Sequence, residues 1–399
     1  MRTATSTRVG IGGDVDDRFA PVLEAFRRNF ASRGEAGAAV TVVLGGRPVV
    51  DLWGGQRDTA QGLPWKRDTI VPVFSTSKGV SALVMASLVS RGLLDYDATV
   101  ASYWPEFADQ GKHDITVRQL FAHEAGLAVL DTPVRTAELA DLDALAVLLA
   151  RQKPMWRPGT RHGYHAITLG LYQNELARRV DPEHRTLGAV LAEDFARPLG
   201  LKTYIGLPDT VEMTRVAVLG RLNRVSALKQ LPGVPWILAA ALANPRSATA
   251  RSLANPRMGA PERFSRREIL APEVPSSNGV SDARSLAQLY GAAATGAPKL
   301  PVDDTTLALL AEPVPGRATT DVLLRARSVF SLGFSRPTPS FSFGSPGGRA
   351  FGTAGLGGSF AFADPDAGLG YAYVTNRLGI HLHDDPREVA LRRAVYDCL

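Results

Sequence analysis

The chain has 399 residues, 45% of them hydrophobic and 21% charged, and 45 Lys and Arg against 39 Asp and Glu give a net charge of +6. This composition is typical of a globular protein and excludes a mainly disordered chain. The two longest mainly apolar runs, 79–94 and 233–244, are shorter than the ~20 residues of a membrane-spanning helix. The length allows two or three domains, and no membrane partner is expected.

The N-terminus and the cysteine content predict a cytoplasmic protein. Residues 1–8 carry two arginines and are not followed by an apolar segment, so we expect no signal peptide. The single cysteine, Cys398, excludes an intramolecular disulfide and a cysteine-based metal cluster. The arginines are scattered without interleaved aromatic residues, which favours a solvated surface over nucleic-acid binding. Nothing in the sequence indicates an oligomeric state.

The two ends of the chain predict one sheet with flanking helices. Apolar residues recur there with the period of a helix or in short β-rich runs bounded by turn residues. Pro follows a capping Asp near the C-terminus, as at the start of a helix. The predicted elements are a helix over 16–33, a hairpin of 38–44 and 48–53 with a primed turn at Gly45-Gly46, a hairpin of 359–363 and 369–375, and a helix from Asp385-Pro386 to about residue 396.

The middle of the chain is different, because its apolar residues recur at helical spacing. The predicted helices cover 79–94, 116–123, 139–151, 167–180 and 187–195. The fold class expected is therefore α/β + α, with an antiparallel sheet from both termini, flanked by helices, and an inserted, mostly helical domain. The predicted boundaries are 16–75 and 275–399 for the sheet domain, 76–274 for the insert and 1–15 for an N-terminal tail.

Residues 221–272 form a third kind of segment, rich in Arg, Ala, Pro and Asn. Its prolines break it into short pieces, which excludes one long helix. The apolar stretch around Trp236 has two interpretations. It is either a short core helix or a flap that supplies an apolar wall to a binding cleft.

Several catalytic and cofactor motifs are absent from the sequence. There is no G-x-S-x-G, no G-x-x-x-x-G-K-[ST], no G-x-G-x-x-G behind a strand and no H-E-x-x-H. The run His381-Leu382-His383-Asp384-Asp385 has metal-binding residue types, but a polar turn before the last helix is the favoured interpretation. Cys398 has no evident base. No cofactor and no metal are expected.

The tetrapeptide S-x-x-K is the positive signal, and it occurs at Ser75–Lys78 and at Ser226–Lys229. Ser75 follows a β-rich run and begins a strongly apolar helix, which places its hydroxyl near unpaired backbone N–H groups. Lys78 lies on the same helix face, and desolvation lowers the pKa of such an amine toward that of a useful base. Ser226 lies in an irregular, Arg-rich stretch. The alternative for Ser75 is a helix cap with an exposed Lys78.

Around Ser75 the sequence resembles class C β-lactamases, penicillin-binding proteins and family VIII carboxylesterases. The resemblance follows the same order of segments and covers about residues 16–399, and it implies the same architecture as the pattern of elements. The segments are Ser75-Thr76-Ser77-Lys78-Gly79, the "LLTHTSGL"-like Leu120–Leu127, the "PGxxxxYxN"-like Arg157–Ala166, the run 275–287, and Gly352–Ser359 in the place of K-T-G or H-x-G before "GxGGS".

This resemblance implies a set of site residues. Ser75 is the nucleophile, and Lys78 and Tyr164 share the removal of its proton, with the identity of the base left open. The backbone N–H groups of Ser75 and Leu356 form the oxyanion hole. The candidate substrate-binding residues are Thr353, Ala354, Gly355, His165 and Trp236.

Two positions depart from the family pattern. Ala166 replaces the Asn of Y-x-N, and Thr353 replaces the Lys of K-T-G or the His of many esterases. Both lost groups would help to hold a β-lactam, so weak or absent β-lactamase activity is expected. Arg349 and Arg377 are alternative sources of a cation.

Three functions are compatible with these residues. The leading one is a serine esterase that forms an acyl-enzyme on a small carboxylic ester. The second is a transacylase that passes the acyl group to an amine or alcohol, and the third is a ligand-binding homologue that does not turn over. Hydrolysis and transfer differ only in the acceptor, so the motifs do not separate them. The intact Ser75, Lys78 and Tyr164 argue against the third.

Overall fold

A computed structural model describes residues 9–220, 236–312 and 319–399. The strands are β1 Ile11–Val15, β2 Gly37–Leu44, β3 Arg47–Asp58, β4 Leu63–Pro64, β5 Val71–Pro72, β6 Val280–Ser281, β7 Thr319–Thr320, β8 Arg327–Ser328, β9 Phe330–Ser331, β10 Phe334–Ser335, β11 Phe351–Ala354, β12 Phe360–Asp364 and β13 Leu369–Thr375.

The α-helices lie mostly between β5 and β6. They are α1 Ala20–Ser32, α2 Ser77–Ser90, α3 Val100–Tyr103, α4 Val117–Phe121, α5 Leu142–Arg151, α6 Thr168–Val180, α7 Leu187–Val190, α8 Arg197–Leu199, α9 Trp236–Ala243, α10 Ala248–Ala254, α11 Arg267–Leu270, α12 Ala283–Thr295, α13 Asp304–Ala311 and α14 Pro386–Tyr396. A π-helical turn, Leu191–Ala196, joins α7 to α8. No helix among the described residues is long and apolar enough to cross a membrane.

One antiparallel sheet joins the two ends of the chain. Its strand order is β1-β3-β2-β13-β12-β11-β10-β9, with β4 added beside β3. The N-terminal and C-terminal parts meet at β2 and β13, where Val40 lies opposite Tyr373. The predicted fold class is therefore confirmed, and the domain boundaries themselves stay a prediction.

The two faces of the sheet pack against different helices because alternate residues of a strand point to opposite sides. Tyr371 and Tyr373 of β13 belong to the core under α1 and α14, whereas Ala372 and Val374 belong to the core that continues into the helical region. On that second face α12 approaches so closely that a Cβ on Gly370 would lie 2.2 Å from the backbone nitrogen of Gly291.

Part of the N-terminal tail predicted over 1–15 is corrected, because residues 11–15 belong to the sheet. Residues Ile11–Val15 form β1, which pairs with the outer edge of β3 in the register Ile11↔Gly54 and Val15↔Val50. Two adjacent glycines weaken the strand signal of this segment, and pairing with an existing edge supplies the missing stability.

The helix α2 occupies the centre of the helical region. Nearly all its residues are buried, including the polar residues Ser77, Lys78, Ser81 and Ser87. A helix that is apolar on every side is expected inside a core rather than on its surface. Its N-terminus packs so tightly that a Cβ on Gly79 would lie 1.9 Å from the hydroxyl of Tyr290. This packing fixes the start of α2, and with it Ser75 and Lys78, against the sheet.

Candidate active site

Ser75 lies on the short turn Phe74–Thr76 between β5 and α2. Phe74 has a φ of +48°, which a bulky residue rarely adopts, so the backbone reverses sharply just before Ser75. The Phe74 ring is buried and packs against Phe264 with ring centroids 5.0 Å apart. This packing holds the turn, and the Ser75 side chain faces a cavity.

Lys78 reaches Ser75 from one turn further along the chain. Its Nζ lies 3.2 Å from Ser75 Oγ, 2.6 Å from the carbonyl oxygen of Ala166 and 2.7 Å from that of Ser276. The side chain is fully buried, and this burial lowers the pKa of the Lys78 amine well below its ordinary value. A neutral amine has two N–H bonds for the two carbonyls and one lone pair, which is then directed at the Ser75 hydroxyl.

Tyr164 completes the polar surroundings of Ser75. Tyr164 and Ser75 line the same cavity, and the Tyr164 ring centroid lies 4.6 Å from Lys78 Nζ. Burial raises the pKa of the Tyr164 hydroxyl above its ordinary value, so the phenol is protonated at neutral pH. The ring stacks on Phe330 with centroids 5.5 Å apart. The structure therefore brings Ser75, Lys78 and Tyr164 together, and the catalytic roles predicted for them stay predictions.

The backbone around Tyr164 is held from two sides. The N–H of Gly163 donates to the carbonyl oxygen of His123, and the N–H of His165 donates to His123 Nδ1, 2.9 Å away. The N–H of Tyr164 itself donates to Asp321 Oδ2, also 2.9 Å away. Every N–H from 163 to 165 thus has a fixed acceptor.

Asp321 is a fully buried carboxylate that the sequence did not single out. Its Oδ1 accepts from the N–H groups of Leu323 and Leu324, both at 2.7 Å, so one side chain joins a turn of the cavity wall to Tyr164. Burial raises the pKa of Asp321 to about 6. His162 Nε2 lies 3.9 Å from Oδ2, and burial lowers the pKa of that imidazole.

The turn after β11 carries Leu356, whose backbone N–H is predicted to belong to the oxyanion hole. Ser359 Oγ donates to the carbonyl oxygen of Val73 at 2.9 Å, and its backbone oxygen accepts from the N–H of Gly355 at 2.7 Å. A Cβ on Gly355 would lie 2.2 Å from that same Val73 oxygen, so only glycine permits this approach. Within the described chain, the N–H groups of Ser75 and Leu356 have no protein acceptor.

Two of the candidate substrate-binding residues face away from the cavity. His165 is completely buried, with Nε2 accepting from the N–H of Leu127 and Nδ1 donating to the oxygen of Gly163. The substrate contact predicted for His165 is therefore corrected to a structural contact in the loop that carries Tyr164. Thr353 is also buried, because its hydroxyl donates to the Thr76 oxygen and accepts from the Gly79 N–H.

The other predicted residues have different outcomes. Ala354 and Leu356 line the cavity, and Gly355 lies between them. Trp236 begins α9, and its side chain lies outside the described residues, as does the second S-x-x-K copy, Ser226–Lys229.

A cavity of about 700 Å³ opens at Ser75. Much of its wall comes from the 238–264 part of the predicted flap, including Leu238, Leu242 and Met258, and from the 323–330 segment. Most of its side chains are apolar, as is usual for a small-molecule pocket. Arg349 and Arg377 do not line it, so neither is the cation that the missing Lys of K-T-G would have supplied.

The His381–Asp385 run forms the turn before α14 at the cavity rim. Asp385 accepts from the N–H of Arg387 and pairs with its guanidinium, and Asp384 pairs with Arg392. His383 Nδ1 lies 3.0 Å from Asp384. The carboxylates of this run are therefore used in capping and ion pairs at the start of α14.

The Beta-lactamase family model matches residues 22–395. The chain belongs to the beta-lactamase family. Esterase/beta-lactamase LipL of Mycobacterium tuberculosis (strain ATCC 25618 / H37Rv) is 36% identical over 375 residues, which are 92% of this chain and 83% of that protein. A crystal structure of a novel penicillin-binding protein homolog from Caulobacter crescentus is 38% identical, with a TM-score of 0.82 over 98% of this chain and 100% of that one.

A crystal structure of a family VIII carboxylesterase is 36% identical to this chain, with a TM-score of 0.82 over 98% of this chain and 100% of that one. The resemblance inferred from the segments around Ser75 is therefore confirmed. The chain is a serine hydrolase of the beta-lactamase family.

Proposed function

We propose that this beta-lactamase family member is a carboxylesterase that forms a covalent acyl-enzyme on Ser75. The proposal depends chiefly on the 3.2 Å separation of Lys78 Nζ from Ser75 Oγ. The amine is fully buried, and its other two contacts are neutral carbonyls rather than carboxylates. Among the described residues no carboxylate pairs with Lys78 to stabilise its ammonium form, so the amine is suited to accept the serine proton. The names of LipL and of the family VIII carboxylesterase support the ester as substrate class.

In acylation, the Ser75 proton moves to the lone pair of Lys78 while Oγ attacks the ester carbonyl carbon. The negative charge that develops on the carbonyl oxygen is stabilised by the backbone N–H groups of Ser75 and Leu356. The bond to the alcohol oxygen then breaks, and that oxygen takes a proton from the Lys78–Tyr164 pair. Water repeats the sequence on the acyl-enzyme and releases the carboxylic acid.

Burial keeps the Tyr164 phenol protonated and lowers the pKa of the Lys78 amine, so the amine is the base and the phenol holds a proton for the leaving alcohol. The two groups are coupled through Ser75, so their apparent pKa values belong to the pair. This division of roles is part of the proposal.

Fluorophosphonate labelling followed by intact-mass measurement tests the nucleophile. Ser75→Ala is expected to abolish labelling in a folded protein, whereas Ser226→Ala should label normally. Lys78→Ala and Tyr164→Phe are each expected to slow acylation by p-nitrophenyl acetate about 10²–10⁴-fold, the usual contribution of general acid–base catalysis. Labelling of Ser226 or Cys398 instead would refute the assignment, and full activity in Tyr164→Phe would remove Tyr164 from the mechanism.

The same substrate separates the esterase from its alternatives. Steady turnover in water is expected for an esterase. Product that depends on an added amine or alcohol would indicate a transacylase, and a single burst without turnover would indicate a homologue that stalls as the acyl-enzyme.

A further inference from the structure

The wall of the Ser75 cavity has an unbalanced charge. Arginine is present at three positions of the lining, Arg257, Arg327 and Arg336, whereas no Asp or Glu is among the described residues that line it. Arg336 is buried, and its guanidinium donates to the main-chain oxygens of Ala311 and Glu312. Arg257 is exposed, so its charge is available to a molecule in the cavity.

Arg257 is held in place by its backbone. Its N–H donates to the carbonyl oxygen of Val134 at 2.8 Å, and its own carbonyl oxygen accepts from Thr136 Oγ1 at 3.0 Å. These contacts tie the loop after α10 to the segment before α5. The Arg257 side chain is long, but the backbone position from which it extends is therefore fixed on the cavity wall.

No acidic side chain neutralises Arg257. Among the described residues, none forms an ion pair with it, while nearby arginines are paired, as in Arg251 with Asp131 and Arg263 with Glu268, both at 2.7 Å. The segments outside the described residues, 1–8, 221–235 and 313–318, contain no Asp or Glu at all. An acidic partner from those segments is therefore excluded by sequence.

We propose that the ester substrate carries a carboxylate that Arg257 binds, as in the half-ester of a dicarboxylic acid. This inference rests on the proposed esterase function and names its substrate class. The reacting ester carbonyl lies at Ser75, and the apolar lining contacts the methylene chain. The Arg257 guanidinium donates two parallel hydrogen bonds to the carboxylate at the far end of the substrate. Hydrolysis then converts the half-ester and water into a dicarboxylate and an alcohol.

Matched p-nitrophenyl esters test this preference. Each p-nitrophenyl half-ester, from succinate to suberate, is compared with the p-nitrophenyl ester of the monocarboxylic acid of equal chain length. In the wild type we expect one chain length at which the half-ester has the higher kcat/KM. Arg257→Gln should lower kcat/KM for that half-ester about fivefold more than for the neutral ester of equal length, which is the usual contribution of one exposed ion pair. Arg257→Lys keeps the positive charge and should restore part of the difference between the two substrates.

Arg349→Gln is the matched control, because Arg349 is an exposed arginine paired with Asp366 at 3.1 Å and does not line the cavity. It should leave the ratio of the two substrates unchanged. If neutral esters are hydrolysed but the ratio of kcat/KM for the half-ester to kcat/KM for the neutral ester is the same in the wild type and in Arg257→Gln, the inference is wrong. Failure of every ester to acylate Ser75 would instead refute the proposed function.

Discussion

Replacing Asp321 by Asn is expected to impair catalysis far more than folding. The amide oxygen of Asn can serve the two N–H groups of the turn at Leu323 and Leu324, as Oδ1 does in the wild type. Its NH₂ group then faces the N–H of Tyr164, where Oδ2 now accepts a hydrogen bond of 2.9 Å. A donor therefore replaces the acceptor that fixes the Tyr164 backbone.

Two contributions to the free energy of unfolding oppose each other in this variant. Leaving the Tyr164 N–H unpaired costs about 1–3 kcal/mol. The neutral amide, however, avoids the burial of a charge that raises the pKa of Asp321 to about 6. Relative to an ordinary pKa near 3.9, that rise lowers the free energy of unfolding of the wild type by about 3 kcal/mol at pH 7. The net change in stability at pH 7 should thus be within about 2 kcal/mol.

Activity has no such compensation, because the displaced residue carries the phenol proposed to act with Lys78 beside Ser75. A shift of this kind in a catalytic group typically costs on the order of 10²-fold in rate. We expect Asp321→Asn to lower the acylation rate by about this factor with a nearly unchanged melting temperature. Asp97→Asn, which removes a surface pair with Arg118 at 2.7 Å, is the control and should leave the rate unchanged.

The pH dependence gives a second measurement. Because the folded-state pKa of Asp321 lies above that of the unfolded chain, this carboxyl makes the protein less stable as pH rises from about 4 to 6. Between about pH 4.5 and 7.5, the wild type should lose about 2 kcal/mol of stability relative to Asp321→Asn. Its kcat/KM should fall below about pH 6, as the carboxyl gains a proton and loses its acceptor role. Equal rates and equal pH profiles in the wild type and the variant would refute this account of Asp321.

Two further predictions concern the substrate. Nitrocefin hydrolysis should be weak or absent, because Ala166 has no amide and the Thr353 hydroxyl is already bound to Thr76 and Gly79; efficient turnover in a spectrophotometric assay would contradict this. On α9, Leu242 is 43% exposed and lines the cavity, so Leu242→Ala should change KM for esters without changing the melting temperature. Leu238 is only 2% exposed, so Leu238→Ala should lower the free energy of unfolding by about 2 kcal/mol or more. A large stability loss in Leu242→Ala with unchanged kinetics would show that this helix is core rather than a flap.

The sheet was predictable because its strands carry local signals. Gly45 and Gly46 both have positive φ, as a two-residue primed turn requires, and the strands on either side alternate or are apolar throughout. The helix α14 begins at Pro386 as predicted, with Asp385 as its cap. β1 was missed because its pairing partner, β3, lies more than thirty residues further along the chain, and its own residues include two adjacent glycines.

The central part of the site was predictable for a similar reason. Ser75 and Lys78 are three residues apart, so the local geometry of one turn fixes their approach. Tyr164 needed the family resemblance, because its distance from Ser75 along the chain carries no signal of contact. Asp321 and Phe330 had no signal of either kind: an isolated Asp and an isolated Phe have many other possible positions, and only the folded chain shows that both contact Tyr164.

His165 shows why residue type alone misplaced a site residue. A histidine next to a catalytic tyrosine suggests a polar group available to substrate, yet both its ring nitrogens are used within the protein, and burial lowers its pKa to about 3. Such a neutral ring fixes the backbone on one side of Tyr164, as Asp321 does through the Tyr164 N–H. Under the proposed mechanism, the chemistry at Ser75 therefore depends on groups that never reach the substrate, and substitutions there should change rate without changing which ester is bound. We expect specificity to depend instead on the apolar cavity wall, which includes Leu238, Leu242 and Met258.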